Sequence, residues 1–409
     1  MKEHRDIDYP LLISILALVV FWSIMISSVS VYDSYRITKR LVETGSLPEP
    51  NNWRFIVRNI LQAGIGLFAM VIAIKIPYLW WKNQIKSMTV LTIFLLILVL
   101  VFGVKINGAR GWFDIPGIPF SLQPTELLKL TMILSVSAFC SKYKNILSHT
   151  SEGFIPFVGI VGVPALLVLL QPDLGALLII IPIVTSIYFV AGGNVRIIAG
   201  IGLAGFVWAS ILYGLGHYNT PEEKGQFSYI YDRMNTFFQS SKTAIEENTM
   251  HHQNKQALIA VGSGGIFWLG FGHSVQKYGY LPEPQWDFIF SVITEEIWFI
   301  WAFIIISIYV YIIYRGFMIA SFCEENFGKF SAFGITLWIL WQMVINISVN
   351  LSIFPNTGLT LPFVSYGGSS LLMMLLAGGI LLSISREVEQ NKKSFANIMY
   401  LYLSRKPRR

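Results

Sequence analysis

The feature that most constrains this fold is a succession of apolar runs, each long enough to cross a lipid bilayer. A membrane-spanning helix needs about 20 predominantly apolar residues. Charged residues make up 13% of the chain, whereas a soluble domain carries roughly 25%. We therefore predict an all-α polytopic membrane protein, in which residues 1–409 form a single membrane domain.

About ten transmembrane helices are predicted. Nine or eleven are the alternatives, because the fourth run is short and the fifth and sixth nearly fuse at Gln171-Pro172-Asp173. The predicted spans are residues 9–31, 55–77, 87–104, 125–141, 154–171, 174–192, 196–216, 287–314, 329–354 and 367–385. The first run exceeds the short core of a signal peptide and lacks a small-residue cleavage pattern, so we expect it to be retained.

The basic residues predict the orientation, because short cytoplasmic loops are enriched in lysine and arginine. With the N-terminus inside, most inner segments hold such residues, and residues 386–409 form a basic cytoplasmic tail. The first outer loop is an exception to this rule, because it contains Arg36, Lys39, Arg40 and Arg54. On balance both termini are expected in the cytoplasm. The net charge of +7 is interpreted as a topology signal, and nucleic-acid binding is not expected because the basic residues are scattered.

One predicted loop is much longer than the others. Residues 217–286 form a long extracytoplasmic loop between spans 7 and 8. Within it, apolar residues of the stretch FSYIYDRMNTFF recur at helical spacing, which predicts a helix lying in the membrane interface. Long loops usually carry function, so the chemistry is expected on the outer face.

Three carboxylates accompany the eighth span. Asp287 follows Pro282 and Pro284, which places it in the first turn of the next helix, where the helix dipole favours negative charge. A capping role is the alternative to a functional one. Glu295 and Glu296 lie about 12 Å deeper at 1.5 Å per residue and point elsewhere. We expect these two to pair with cations on neighbouring helices.

Other polar residues stand out against the apolar background. Glu126 and Lys129 are three residues apart on the fourth span and predict either a structural ion pair or a catalytic one. Arg110 lies in a glycine-containing outer loop that could hold a phosphate. Lys277 follows a glycine-rich turn that suits a diphosphate or forms an ordinary bend. Residues 361–370 contain proline and paired glycines, which predict irregular backbone lining a cavity.

Several chemistries are not expected. The two cysteines, Cys140 and Cys323, fall at inner helix ends, so neither a disulfide nor a cysteine metal site is predicted. His251 and His252 are adjacent and cannot chelate as an i, i+4 pair would. No Walker-type loop or Ser–His–Asp order is found.

Four stretches together resemble the SEDS family (shape, elongation, division and sporulation), which are membrane glycosyltransferases that polymerise peptidoglycan from lipid II. The stretches are NGARGWFDIPGIPFSLQPTELLK at 107–129, LQPDLGALL at 170–178, GSGGIFWLGFGHSVQKYGYLPEPQWDFIFSVITEE at 262–296, and INISVNLSIFPNTGLTLPFVSYGGSS at 345–370. The chain is more similar to the division-type branch, FtsW, than to the elongation-type branch, RodA.

The resemblance implies a role for each matching residue. Asp287 would be the catalytic general base. Arg110, Glu126 and Lys129 match further functional residues of the family. Substrate contacts are also expected from Gln123, Lys277, Ser365 and Gly367, and supporting roles from Glu283, Glu295 and Glu296. No cofactor or metal is required by the sequence, and a divalent cation is left open.

The chain departs from the family pattern at four places. Gly111 stands where a second arginine is common, Pro284-Gln285-Trp286 replaces the usual Ala-His-Thr, Thr294 replaces a glycine, and Thr357 replaces a lysine. The resemblance implies a bacterial inner-membrane protein with an outward active site. It would work with a class B penicillin-binding protein and other division proteins. A lipid II transporter, a division scaffold and an elongation-type polymerase are the alternatives.

Overall fold

A computed structural model of the protein describes residues 6–106, 109–114, 120–194, 249–265 and 270–404, with a few positions between 200 and 214. Its helices are α1 (Tyr9–Val29), α2 (Val31–Glu43), α3 (Arg54–Lys75), α4 (Tyr78–Phe102), α5 (Pro124–Lys142), α6 (Ile155–Leu170), α7 (Leu174–Val190), α8 (Thr249–Ser263), α9 (Ile289–Phe322), α10 (Asn326–Asn350) and α11 (Gly368–Ser404). Two short antiparallel strands, β1 (Val104–Ile106) and β2 (Ala109–Trp112), form a hairpin after α4.

The helical membrane architecture is confirmed. Within the described residues, seven helical segments are long and apolar enough to cross a membrane, and α7 is a shorter apolar helix. Nine of the ten predicted runs correspond to helices in this part of the chain. The predicted run at 196–216 lies largely outside the described residues, and so does the predicted interfacial helix within FSYIYDRMNTFF.

Several helices extend beyond their predicted limits, and two of the added segments contain charged residues in ion pairs. α4 begins before the predicted span and includes Lys82, whose ammonium lies 3.0 Å from Glu325. α9 continues past Arg315, whose guanidinium lies 2.6 Å from Asp8. The predicted tail at 386–409 is continuous with the last helix, since α11 extends to Ser404.

The basic first outer loop also contains an element that the apolar runs did not predict. A bend at Ser30 separates α1 from the amphipathic helix α2, in which Arg36 pairs with Asp33 at 2.9 Å. One of the four cations that depart from the positive-inside pattern is therefore compensated within this short helix.

The core lies between α5, α10, α11 and the helices that pack on them. In the spanning part of α11, 78% of residues are buried, whereas only 17% are buried in α4. The exposed apolar side chains of α4, such as Val90 and Phe94, therefore form a surface for lipid. α3 packs closely on α11 because Gly379 has no side chain; a Cβ there would lie 2.6 Å from the carbonyl oxygen of Met70.

The bundle has two ends, which we call the hairpin end and the opposite end. The opposite end brings together the start of α1 and the C-terminal part of α9 through Asp8 and Arg315. The hairpin end gathers the β1–β2 hairpin, the starts of α3, α5, α7, α9 and α11, and the end of α10. Non-glycine residues with positive φ angles gather at this end: Pro172 at 24°, Glu283 at 55°, Ser352 at 53° and Phe363 at 61°. Such strained backbone is concentrated at functional sites.

Candidate active site

Asp287 lies at the hairpin end, directly before α9. The helix begins at Ile289 with Phe288 as its N-cap residue, so the prediction that Asp287 lies in the first helical turn is wrong by two residues. The sequence predicted that the helix begins directly after Pro284, but residues 284–287 form a turn and the helix starts only after it. Asp287 is partly exposed, and its backbone carbonyl oxygen accepts hydrogen bonds from Asn346 Nδ2 at 3.0 Å and Asn350 Nδ2 at 2.8 Å.

These two amides belong to a buried polar stripe on α10, which we call the amide ladder: Gln342, Asn346 and Asn350. The residues are four apart, so they lie along one face of the helix, and each is at most 1% exposed. Asn346 Nδ2 also donates to the carbonyl oxygen of Leu359 at 2.7 Å, and Gln342 Nε2 donates to that of Thr360 at 2.9 Å. The ladder therefore ties the loop after α10 and the Asp287 backbone to one helix.

The ion pair predicted on α5 is present. The Lys129 ammonium lies 2.7 Å from Glu126 Oε1, and both residues are buried. Lys129 Nζ also lies 3.4 Å from Gln342 Oε1 and 5.6 Å from the ring centroid of Trp338. The second carboxylate oxygen of Glu126 has no hydrogen-bond partner among the described residues. The pair is thus joined to the base of the amide ladder and has one unused acceptor.

Asp173 organises the start of α5, a role the sequence did not indicate. It caps α7 by accepting a hydrogen bond from Ala176 N at 3.0 Å. Its other oxygen accepts from Thr125 Oγ1 at 3.1 Å and lies 3.4 Å from Gln123 Nε2. The N-cap residue of α5 is Gln123, so Thr125 lies inside the first turn and bonds Asp173 rather than its own backbone. The sequence did contain a signal for a capping residue here, because Asp173 follows Pro172 between two apolar runs.

The loop at 361–367 is irregular, as predicted, and hydrogen bonds hold it both internally and to its neighbours. Ser365 Oγ accepts from Leu361 N at 2.7 Å, and the carbonyl oxygen of Gly367 accepts from Leu371 N at 2.8 Å. Tyr366 N donates to the carbonyl oxygen of Gln285 at 2.9 Å, which fixes the loop against the segment that carries Asp287.

An aromatic cluster strengthens this junction. The rings of Phe55, Trp286 and Tyr366 meet edge-on in all three pairings, with centroids 5.2 to 6.1 Å apart. Burial raises the pKa of the Tyr366 phenol, and the hydrogen bond from Gln62 Nε2 at 3.2 Å opposes that shift. α3 thereby supports both the 361–367 loop and the residue next to Asp287.

Glu295 and Glu296 are held by the segment that precedes Asp287. Glu296 pairs with Lys277 at 2.7 Å and also accepts from Ser28 Oγ of α1 at 2.8 Å. Glu295 accepts from Ser274 Oγ at 2.5 Å and from Val275 N at 3.0 Å, and has no cation partner among the described residues. The expected pairing with neighbouring helices is therefore only partly correct, since the cation comes from a loop.

Lys277 is fully engaged in this arrangement. Its ammonium donates to Glu296 Oε1 at 2.7 Å and to Ser28 Oγ at 2.8 Å. A third hydrogen bond reaches the carbonyl oxygen of Gly272 at 2.7 Å, so all three ammonium protons have acceptors. A substrate contact from Lys277, as the sequence predicts, would require the ammonium to leave a buried ion pair.

Arg110 and Glu283 lie at the margin of the hairpin end. Arg110 Nη1 donates to the carbonyl oxygen of Leu100 in the last turn of α4, at 3.2 Å. A cation at a helix C-terminus is favoured by the helix dipole. Glu283 is exposed, and its carbonyl oxygen accepts from Trp286 N at 3.2 Å. Cys140 and Cys323 are free thiols, and no group of three metal-ligating side chains is found in the described part of the chain.

The sequence profile of the cell cycle protein family of FtsW, RodA and SpoVE matches residues 9–390, which include every site residue named above. The chain belongs to this family. Stage V sporulation protein E of Bacillus subtilis (strain 168) is 39% identical over 338 residues, covering 81% of this chain and 87% of that protein. A probable peptidoglycan glycosyltransferase FtsW of Trichlorobacter lovleyi is 32% identical over 382 residues, covering 93% of both chains.

Two solved structures share the fold of this chain. The rod shape determining protein RodA of Thermus thermophilus superposes with a TM-score of 0.64 at 25% identity, covering 93% of this chain and 97% of RodA. A chain of a peptidoglycan synthase complex, in which polymerization and crosslinking are structurally coordinated, gives a TM-score of 0.71 at 24% identity and covers 94% of this chain. The resemblance to SEDS proteins drawn from the four motifs is confirmed.

Proposed function

We propose that this protein is a peptidoglycan glycosyltransferase that polymerises lipid II. The observation that carries the proposal is Asp287, a partly exposed carboxylate residue whose backbone is fixed by two buried amides of α10. Catalytic groups need rigid support, because small displacements from the productive geometry cost rate. The relatives named peptidoglycan glycosyltransferase support the reaction class.

In the proposed reaction, the Asp287 carboxylate acts as general base and removes the proton from the 4-hydroxyl of an acceptor N-acetylglucosamine. The acceptor oxygen attacks the anomeric carbon of the donor N-acetylmuramic acid and forms the new glycosidic bond. The bond from that carbon to the diphosphate breaks, and undecaprenyl diphosphate leaves with inversion. Positive charge near the diphosphate stabilises the departing anion.

Arg110 is the proposed cation for the leaving group, because it lies in the hairpin at the same end of the bundle as Asp287. The Glu126–Lys129 pair is proposed to orient the donor, and the unused carboxylate oxygen of Glu126 is the available acceptor. Gln123, Ser365 and Gly367 remain predicted contacts. Lys277 remains a prediction as well, with the added requirement that it leave Glu296.

The hairpin end is proposed to face outward from a bacterial inner membrane, with both termini in the cytoplasm. A class B penicillin-binding protein is the proposed partner, which would crosslink the strands that this protein makes. The similarity in fold to a chain of a peptidoglycan synthase complex supports an assembly of this kind. A role in division at the septum, with other division proteins, is favoured by the relatives named FtsW.

The test is a polymerisation assay with purified protein, a class B penicillin-binding protein and lipid II. We expect long glycan strands from the pair and no product from the penicillin-binding protein alone. Movement of lipid II across vesicles without elongation would instead identify a transporter. Product that appears only when a separate polymerase is added would identify a scaffold.

A further inference from the structure

The first turn of α9 receives its cap from another helix. The N-cap residue, Phe288, has no side-chain oxygen, and no side-chain cap from that position is present. The initial N–H groups of a helix lack partners within the helix and need an acceptor from elsewhere. Asn350, the last residue of α10, supplies one: its Oδ1 accepts from Ser291 N at 3.0 Å and from Ser291 Oγ at 2.8 Å. Ser291 N also lies 3.1 Å from the carbonyl oxygen of Phe288, so it is shared between the amide of α10 and the first turn of its own helix.

The other half of the same amide holds Asp287. Asn350 Nδ2 donates to the carbonyl oxygen of Asp287 at 2.8 Å and to that of Asn346 at 2.9 Å. A backbone N–H can only donate and a backbone carbonyl can only accept, so Ser291 and Asp287 together fix the orientation of the amide. The position requires one acceptor and one donor on a side chain of this length, which an asparagine provides without titrating.

We propose that Asn350 is a positioning residue for Asp287. Its amide binds the carbonyl oxygen of Asp287 and the backbone N–H of Ser291, so it holds the chain at both ends of the short segment that joins Asp287 to the first turn of α9. The proposal rests on the proposed function of Asp287 as general base. Asn346 adds a second hydrogen bond to the same carbonyl at 3.0 Å, but makes no bond to the first turn of α9. Asn350 is completely buried, so it acts through Asp287 rather than by touching substrate.

Two near-isosteric changes separate the functions of the amide. Asn350→Asp keeps an acceptor for Ser291 and removes the donor to Asp287, and Asn350→Leu removes both. We expect turnover at saturating lipid II to fall about 10- to 100-fold in each variant, the range associated with displacement of a catalytic group. The lipid II concentration at half-maximal rate should stay unchanged. Both quantities come from the lipid II titration with the penicillin-binding partner present.

Ser348→Ala is the matched control, since Ser348 lies on the same turn of α10 and is partly exposed; its turnover should equal that of the wild type. Folded protein is measured for every variant by size-exclusion chromatography in detergent. Wild-type turnover in a folded Asn350 variant would overturn the proposal, and so would a change confined to the half-maximal concentration. Failure of both variants to fold would make Asn350 a folding residue only.

The design distinguishes this proposal from the proposed function. If the wild-type protein makes no glycan, or if Asp287→Asn polymerises normally, the proposed function has failed and the loss cannot be assigned to Asn350. If the wild type is active, Asp287→Asn is inactive and the Asn350 variants match the wild type, only the positioning role has failed.

Discussion

Asp287 and the Glu295–Glu296 pair belong to one stretch of chain, yet the protein holds them by different groups. At the glutamates, the carboxylate oxygens themselves are bound by Lys277, Ser28, Ser274 and backbone N–H groups, and both residues are at most 1% exposed. At Asp287, the backbone carbonyl is bound by buried amides, and the residue is partly exposed. The first arrangement uses charge to fasten a loop to α9 and α1. The second fixes the chain and leaves the residue at a surface, which is compatible with the proposed catalytic role of Asp287.

The largest effect on folding is expected from Lys277→Met, because it leaves Glu296 buried without its cation. Breaking a buried ion pair by removing one partner costs about 3–5 kcal/mol. The free energy of unfolding in detergent should fall by that amount. Arg36→Met is the control: it breaks the Arg36–Asp33 pair, whose arginine side chain is 51% exposed, and should cost at most about 1 kcal/mol.

The double variant Lys277→Met/Glu296→Gln sharpens the same comparison. With both charges gone, no ion remains unpaired, so stability should recover part of the loss measured for Lys277→Met. If Lys277→Met unfolds at the same denaturant concentration as the wild type, the loop is not fastened by this pair, and a substrate role for Lys277 gains support.

Glu126→Gln should have a somewhat smaller effect on stability. The Lys129 ammonium would lose its negative partner at 2.7 Å but keep neutral acceptors, including Gln342 Oε1 at 3.4 Å, so the expected cost is about 3 kcal/mol, the lower end of the range for buried pairs. A purely structural pair would leave the turnover of the folded fraction unchanged. A loss of turnover per folded molecule would place Glu126 in the donor site, as we propose.

The smallest expected effect concerns Tyr366 at alkaline pH. Burial raises the pKa of its phenol above the ordinary value of about 10, so above that pH the unfolded chain loses a proton that the folded chain keeps. The unfolded state is thereby favoured, and wild-type stability should decline as pH rises through this region. Tyr366→Phe removes this titrating phenol, so the free energy of unfolding of the variant should decline less steeply with pH. Parallel pH profiles of the two proteins would contradict the assignment.

The fold was largely predictable because its main signal is local. A run of about 20 apolar residues indicates a span without knowledge of its neighbours. The Glu126–Lys129 pair could also be predicted, since residues three apart on a helix are neighbours. α2 could not be found in this way, because its amphipathic sequence is too polar to register as a span.

The parts of the site that escaped prediction depend on distant contacts. The ion pair of Lys277 could not be predicted, because its partners, Glu296 and Ser28, approach it only in the folded chain. The limits of the turn before α9 depend on Asn350, which lies at the end of another helix. The amide ladder itself had a readable signal, since Gln342, Asn346 and Asn350 recur every four residues within an apolar span. Polar residues at such positions are costly and therefore informative.

The most direct test of the account compares the two ends of α9. Asp287 lies just before the helix and Glu324 just after it, where Glu324 is exposed at the opposite end of the bundle. With lipid II and the penicillin-binding partner, Asp287→Asn should reduce glycan synthesis to background while the protein remains folded, and Glu324→Gln should polymerise at the wild-type rate. Glycan synthesis by folded Asp287→Asn at a rate near that of the wild type would contradict the central claim.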